Sequence, residues 1–175
     1  MEKIPQLLKK IGDKHYVETC SLCYEDFEVG AIIESNHGRT ITSADCMWMT
    51  MLMGIETAMH INQDYAKKSE FGDVIIEQLV VFSISIGLSS RLISGSASAN
   101  FEFDELKALH PVRIGDTLYV TSEVLSMRES KSRPKQGIVK LKIITKNQDG
   151  VVVHTGTRTM LVWKKEFLPQ QSING

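Results

Sequence analysis

Val74-Ile-Ile-Glu-Gln-Leu-Val-Val-Phe-Ser-Ile-Ser-Ile-Gly-Leu88 is the stretch on which the reading of the fold turns. It is the longest apolar run of the chain, interrupted by Glu77, Gln78, Ser83 and Ser85. A run of about fifteen residues exceeds the usual strand of roughly 5–6, so the length predicts a buried central helix. It also falls short of the roughly 20 residues that cross a bilayer.

Downstream of that helix the pattern changes. Ala97 to Phe103 is a strand candidate, and His110-Pro-Val-Arg-Ile-Gly-Asp116 is a turn carrying Pro111 and Gly115. Thr117 to Leu125 alternates, with Leu118, Val120 and Val124 on one face. Gln136 to Ile144 alternates Val139, Leu141 and Ile143 against Lys140 and Lys142. Asn147-Gln-Asp-Gly150 is a hairpin turn, and Val151 to Trp163 is a last long strand.

Upstream, Glu28 to Ile33 reads as a strand entered from a turn at Gly30. Thr40-Ile-Thr-Ser-Ala-Asp45 reads as a helix start: Thr42 or Ser43 can cap, and Asp45 suits the helix dipole. Cys46-Met-Trp-Met-Thr-Met-Leu-Met53 is apolar nearly all round, which predicts a well-buried helix ended by Gly54. A loop from Ile55 to Asn62 and a short polar helix from Gln63 to Lys68 follow. Helices followed by a meander of long strands predict an α+β fold, an antiparallel sheet wrapped around a long central helix.

Composition bounds the function. The chain has 175 residues, enough for one domain with a real core. A hydrophobic content of 42% and a charged content of 23% are ordinary for a soluble globular protein. The net charge of −1 gives no global attraction to nucleic acid or an anionic membrane. No Gly-rich phosphate loop or aromatic-studded basic face is present, so neither nucleotide hydrolysis nor nucleic-acid binding is expected. The first residues lack an apolar signal core, and a soluble cytoplasmic protein is the expectation. Cys20, Cys23 and Cys46 are odd in number, which argues against a disulfide framework. Cys20-Ser-Leu-Cys23 has half the spacing of a zinc site, but no second pair completes it, so ordinary thiols and no metal are expected.

Six segments, in order and spacing, carry a resemblance. They are Tyr24-Glu-Asp-Phe-Glu-Val-Gly30, Gly38-Arg-Thr-Ile-Thr-Ser-Ala-Asp45, His60-Ile-Asn-Gln-Asp-Tyr-Ala66, Phe71-Gly72, His110-Pro-Val-Arg-Ile-Gly-Asp-Thr-Leu118, and Arg128-Glu-Ser-Lys-Ser-Arg-Pro134 with Asn147-Gln-Asp-Gly150. Together the chain resembles the MaoC-like dehydratases, nearest the mesaconyl-CoA hydratase-like branch. The resemblance implies a hotdog fold over residues 24–168, flanked by an N-terminal extension (1–23) and a tail (169–175). It implies an enoyl-CoA hydratase or hydroxyacyl-CoA dehydratase, a hydro-lyase working on an acyl-CoA or acyl carrier protein thioester. It also implies a homodimer with no cofactor beyond the CoA of the substrate.

Hydration of an enoyl thioester needs a group to deprotonate water, a group to manage the proton at the α carbon, and donors on the thioester carbonyl. The family uses an Asp and a His five residues apart, and the N–H of a Gly at the start of the central helix. His60 matches the histidine. Ile55 stands where the carboxylate would be, Ala58 replaces a proline, and Glu77-Gln78 replaces the His-Gly step. Three explanations stay open: Glu56 or Glu77 replaces the carboxylate, His60 works alone with water, or the site binds acyl groups without catalysis. A carboxylate on the central helix also suits a thioesterase, with Glu77 activating water, while the plainer role of Glu77 is to stabilise the helix dipole.

Ile55, Asn62, Phe71, Gly72 and Gln78 are the candidates for shaping the acyl and carbonyl site. Arg128, Lys131 and Arg133, with Lys135, form a basic turn that could hold CoA phosphates or be a solvated hairpin tip. Arg39 and Arg113 are weaker candidates. Met47, Met49, Met51 and Met53 are expected in the core or the acyl pocket. His15, His37, His110 and His154 receive no role.

Overall fold

The computed structural model describes residues 8–18 and 21–169. A hairpin of β1 (Leu8–Gly12) and β2 (His15–Glu18) comes first, then short strands β3 (Ile32–Glu34) and β4 (Arg39–Thr40). Helices α1 (Ser43–Met53), α2 (Ala58–Ile61), α3 (Gln63–Lys67) and α4 (Gln78–Ile93) follow. Four long strands close the chain: β5 (Ala97–Ala108), β6 (Thr117–Glu129), β7 (Gln136–Lys146) and β8 (Val152–Trp163). The main sheet runs β3-β6-β7-β8-β5, with β4 also on β6; the pairings are antiparallel. With α4 lying across its inner face, this is the α+β hotdog arrangement expected from the sequence.

The alternation in the strands does what period two requires. Leu118, Val120 and Val124 of β6, Val139, Leu141 and Ile143 of β7, and Met160 and Val162 of β8 share one core with Val80, Ile84 and Leu88 of α4. Full burial of one such side chain stabilises the fold by roughly 1.5–3 kcal/mol. Lys140 and Lys142 point to the opposite face and stay half-buried. Among the described residues no helix is long and apolar enough to cross a membrane.

The central helix is shifted relative to the expectation. It starts at Gln78 and runs to Ile93, not from Val74 to Leu88. Ile75 bridges Arg113 in extended conformation, and the Ile76 N–H donates to the Val112 carbonyl at 2.8 Å. The Glu77 carboxylate then accepts the Leu79 N–H at 2.6 Å and caps the helix. The expected loop after Gly54 contains the one-turn helix α2.

Helix α1 is capped as its sequence indicates. Thr42 accepts from the Asp45 N–H in a capping box. Burial raises the Asp45 pKa, but hydrogen bonds from Thr42 and the Arg39 ion pair outweigh it and hold the carboxyl below its ordinary value. Gly54 ends the helix at φ +66°. The expected burial of α1 does not hold. Cys46 and Thr50 are buried and Met49 and Met53 pack on the core, but Met47, Trp48, Met51 and Leu52 are 61–82% exposed. The helix lies on the outside of the fold, so one stripe meets the body and the other apolar side chains face outward. Apolar composition all round had concealed which stripe that was.

At the N-terminal side, Leu22 and Cys23 are buried. Leu22 donates its N–H to the Leu92 carbonyl at the end of α4. Cys23 and Cys46 are free thiols, pushed up in pKa chiefly by burial; Cys20 lies outside the described residues.

Candidate active site

His60 sits on α2, half-buried, with its ring turned toward the strand-like segment before α4. Nδ1 lies 2.8 Å from the Ile75 carbonyl oxygen. A carbonyl can only accept, so Nδ1 carries a proton, and in the neutral ring the lone pair is on Nε2. Ile75 is itself held by its bridge to Arg113, whose Nη2 donates to the Phe71 carbonyl at 3.0 Å. The imidazole, the Phe71 turn and the head of α4 are therefore one braced unit. Arg113 serves as a brace here, and Arg39 is committed to its ion pair with Asp45.

This unit borders a cavity of about 410 Å³, within the range of small-ligand sites. His60, Phe71, Glu77 and Gln78, all singled out from the sequence, line it. Ile75, Ile76, Val81, Val112 and Val153 supply apolar walls, and no Lys or Arg is among the lining residues. The Gln78 N–H at the start of α4 has no acceptor among the described residues, and the helix dipole makes that end hospitable to negative charge. Glu77 serves both readings made from sequence: it caps α4 and it faces the cavity.

Other expected site residues lie elsewhere. Glu56 is exposed and does not line the cavity. Ile55 donates its N–H to Thr50 at 3.0 Å, closing α1, and is not on the wall. Asn62 caps α3 through its Oδ1, 3.0 Å from the Tyr65 N–H. Gly72 is an exposed turn residue at φ +70°. Met47 and Met51 face outward from α1 rather than lining this cavity.

Arg128, Lys131 and Arg133 lie at or next to the β6–β7 turn, at the far end of the sheet. His154 pairs with Thr145 near the cavity, and Trp163 pairs with Gln136 near the turn. Those nine residue steps span about 30 Å at ~3.3 Å per residue. None of Arg128, Lys131 and Arg133 lines the cavity beside His60. Lys135 stacks over the Phe167 ring at 5.4 Å.

Two histidines without an assigned role also line the cavity, His110 and His154. His154 is 1% exposed, and neither ring nitrogen has a hydrogen-bond partner among the described residues. Burial pushes its pKa below the ordinary value, and the nearby Glu77 carboxylate offsets part of that. The sequence held a signal for it. His154 shares the parity of Met160 and Val162, the inward face of β8. Among the described residues no three His, Cys, Asp or Glu side chains gather as a metal site.

Comparison with known proteins places this geometry in context. The family described as "MaoC like domain" matches residues 26–147. The β-methylmalyl-CoA dehydratase of Chloroflexus aurantiacus is 32% identical over 143 residues, covering 82% of this chain and 40% of that protein. The mesaconyl-CoA hydratase of Cereibacter sphaeroides is 27% identical, over 82% of this chain and 41% of that protein. The chain thus spans about two fifths of the length of these curated relatives. The crystal structure of a MaoC-like dehydratase from Rhodospirillum rubrum is similar with a TM-score of 0.72 and 27% identity, over 83% of this chain and 99% of that one.

Proposed function

The chain belongs to the MaoC-like family, and from that premise we propose that it hydrates an enoyl thioester, or dehydrates the matching 3-hydroxyacyl thioester, in the cavity beside His60. One observation carries the reading: Nδ1 of His60 is tied to the Ile75 carbonyl at 2.8 Å, which leaves Nε2 as a base at the cavity wall. Nε2 takes a proton from water while the water oxygen bonds to C3 of the enoyl group. The C2–C3 π electrons move toward the thioester oxygen, where the Gln78 N–H and the α4 dipole stabilise the charge. The imidazolium then returns its proton to C2, so one O–H bond and the C2–C3 π bond are broken and one C–O and one C–H bond are made. This needs no carboxylate at position 55.

The two curated relatives, a dehydratase and a hydratase of CoA thioesters, support the reaction class. An acyl-CoA or acyl carrier protein thioester is the proposed substrate, and two copies of the chain are the proposed assembly. The test mixes the protein with crotonyl-CoA and follows loss of the conjugated-thioester absorbance. No loss at micromolar enzyme, with the acyl-CoA intact, would end the hydratase reading. A second reading rests on Glu77 facing the cavity: if its carboxylate activates water, free thiol is released from saturated acyl-CoA, and Glu77→Gln stops that release.

A further inference from the structure

We propose that Arg113 is a positioning residue for the hydration step: through Phe71 and Ile75 it holds the His60 proton on Nδ1 and so keeps the lone pair on Nε2. The proposal rests on the hydratase reading above and deepens it.

The pairing before α4 aims one carbonyl. The Ile76 N–H donates to the Val112 carbonyl at 2.8 Å, which makes Ile75 and Arg113 a non-hydrogen-bonded antiparallel pair. In such a pair the Ile75 carbonyl points away from the segment that carries Arg113. Here it meets Nδ1 of His60 at 2.8 Å. A shift of one residue would turn that carbonyl into the pairing and leave the imidazole without its acceptor.

Arg113 also holds the chain that leads into Ile75. That chain is a turn with Gly72 at φ +70°. Its own bonds are local: the Gly72 N–H donates to the Ser69 carbonyl and the Phe71 N–H to the Ser69 hydroxyl, at 3.2 Å each. The Arg113 guanidinium donates to the Phe71 carbonyl at 3.0 Å and ties the turn to the body. Arg113 is itself anchored, since its N–H donates to the Asp116 carboxylate at 2.8 Å and Val112 before it is buried in the core. One residue thus grips segment 71–75 at both ends, by side chain at Phe71 and by backbone at Ile75. It does not line the cavity, so its route to the reaction runs through His60.

The proton of a neutral imidazole sits where the hydrogen bonds of the ring put it. With the Ile75 carbonyl displaced, the proton is free to move to Nε2, the position free histidine prefers. A ring in that form offers no lone pair at the cavity wall.

Two measurements on the full chain test this: hydration kinetics with crotonyl-CoA, and nitrogen-15 spectra of histidine-labelled protein at about pH 8.5, above the ordinary imidazole range. Arg113→Met is expected to lower kcat about 10- to 100-fold with KM within about threefold of wild type. In the spectra His60 should pass from a protonated Nδ1 to a mixture of both tautomers. Arg113→Gln, polar but too short to reach the Phe71 carbonyl, is expected to behave alike and decides the matter if the Met variant loses its unfolding transition. The bond to Phe71 is single and not a bidentate pair, so Arg113→Lys should recover the Nδ1 proton and a kcat within about fivefold of wild type. A wild-type rate and spectrum in Arg113→Met, a rise in KM with kcat unchanged, or a Lys variant as slow as the Met variant overturns the proposal. So does a wild-type His60 with its proton on Nε2. A wild type that hydrates nothing ends the hydratase reading, and the spectra still decide whether Arg113 holds the His60 proton.

Discussion

The two ends of α4 answer the same helix dipole in opposite ways. At the N-terminal end Glu77 brings negative charge, the Gln78 N–H has no acceptor among the described residues, and a cavity opens. At the C-terminal end the helix is tied to neighbouring segments. The Leu92 carbonyl accepts from the Leu22 N–H and the Ser21 hydroxyl at 2.8 Å each. Arg158 brings the positive charge, fully buried, with Nη1 3.2 Å from the Ser94 hydroxyl. Both ends have the sign the dipole favours. The difference is access: an unmet donor at the open end is available for catalysis, whereas unmet Nε and Nη2 atoms at the sealed end only oppose folding.

The largest effect should come from the open end. His60→Ala removes the base and is expected to lower the hydration rate by about 10²–10⁴-fold, with the unfolding midpoint in urea little changed. A rate within threefold of wild type would move the chemistry off this residue. His60→Gln should not restore the rate, because an amide cannot take up the proton.

The sealed end should respond in stability and not in rate. Burial lowers the Arg158 pKa from its usual value to about 10. Arg158→Met exchanges an incompletely paired buried cation for an apolar chain and is expected to stabilise the fold by ~1–4 kcal/mol. Denaturant melts at pH 7 read this directly. In the wild type the depressed value means the unfolded chain holds more protons between pH 10 and 12, so stability gains from this residue as pH rises there. A loss of stability in Arg158→Met would show that the guanidinium is fully paired in the assembled protein.

How far these ends were legible in the sequence follows from what each signal contains. The long run from Val74 announced a central helix, but not its start, because Ile75 and Ile76 are as apolar extended as they would be helical. The bridge of Ile75 to Arg113, the Ile76–Val112 bond and the side-chain cap by Glu77 set the boundary. Strand alternation at Leu118, Val139 and Leu141 held because period two maps directly onto one buried face. The same logic on α1 failed, since an apolar residue at every position carries no stripe. His60, Phe71, Glu77 and Gln78, singled out as candidates, line one cavity, being gathered around one helix end. His110 and His154 were missed because their meeting with His60 depends on long-range pairing of β5 and β8. That the basic turn at Arg128 lies away from this cavity was not legible for the same reason: position along a strand, not residue type, decides which end of the sheet it occupies.

A smaller effect should separate His154 from the other charges at the open end. Its pKa is lowered from about 6.5, first by burial, with Glu77 partly offsetting. Well above pH 6.5 the ring is neutral in both states and adds no pH dependence. As pH falls below 6.5 the unfolded chain takes up a proton that the folded chain resists, so stability declines by at most about 1.4 kcal/mol per pH unit. His154→Leu should remove that part of the decline between pH 6.5 and 5. Parallel curves for wild type and variant would mean the ring protonates freely in the fold.

The smallest effect is expected at the far end of the sheet, and it tests the comparison from outside. Arg128 and Arg133 are exposed at or beside the β6–β7 turn, about 30 Å of strand from His154. Exposed charges at that distance are screened well within the gap at 0.15 M salt, where the Debye length is about 8 Å. Reversing both charges, Arg128→Glu with Arg133→Glu, should therefore change the KM for an acyl-CoA by less than about twofold. A tenfold, salt-dependent rise in KM with kcat unchanged would break that expectation in an informative way. It would mean that the turn of one copy reaches the cavity of another, so that the open end of α4 is completed by a second chain and not by its own sheet.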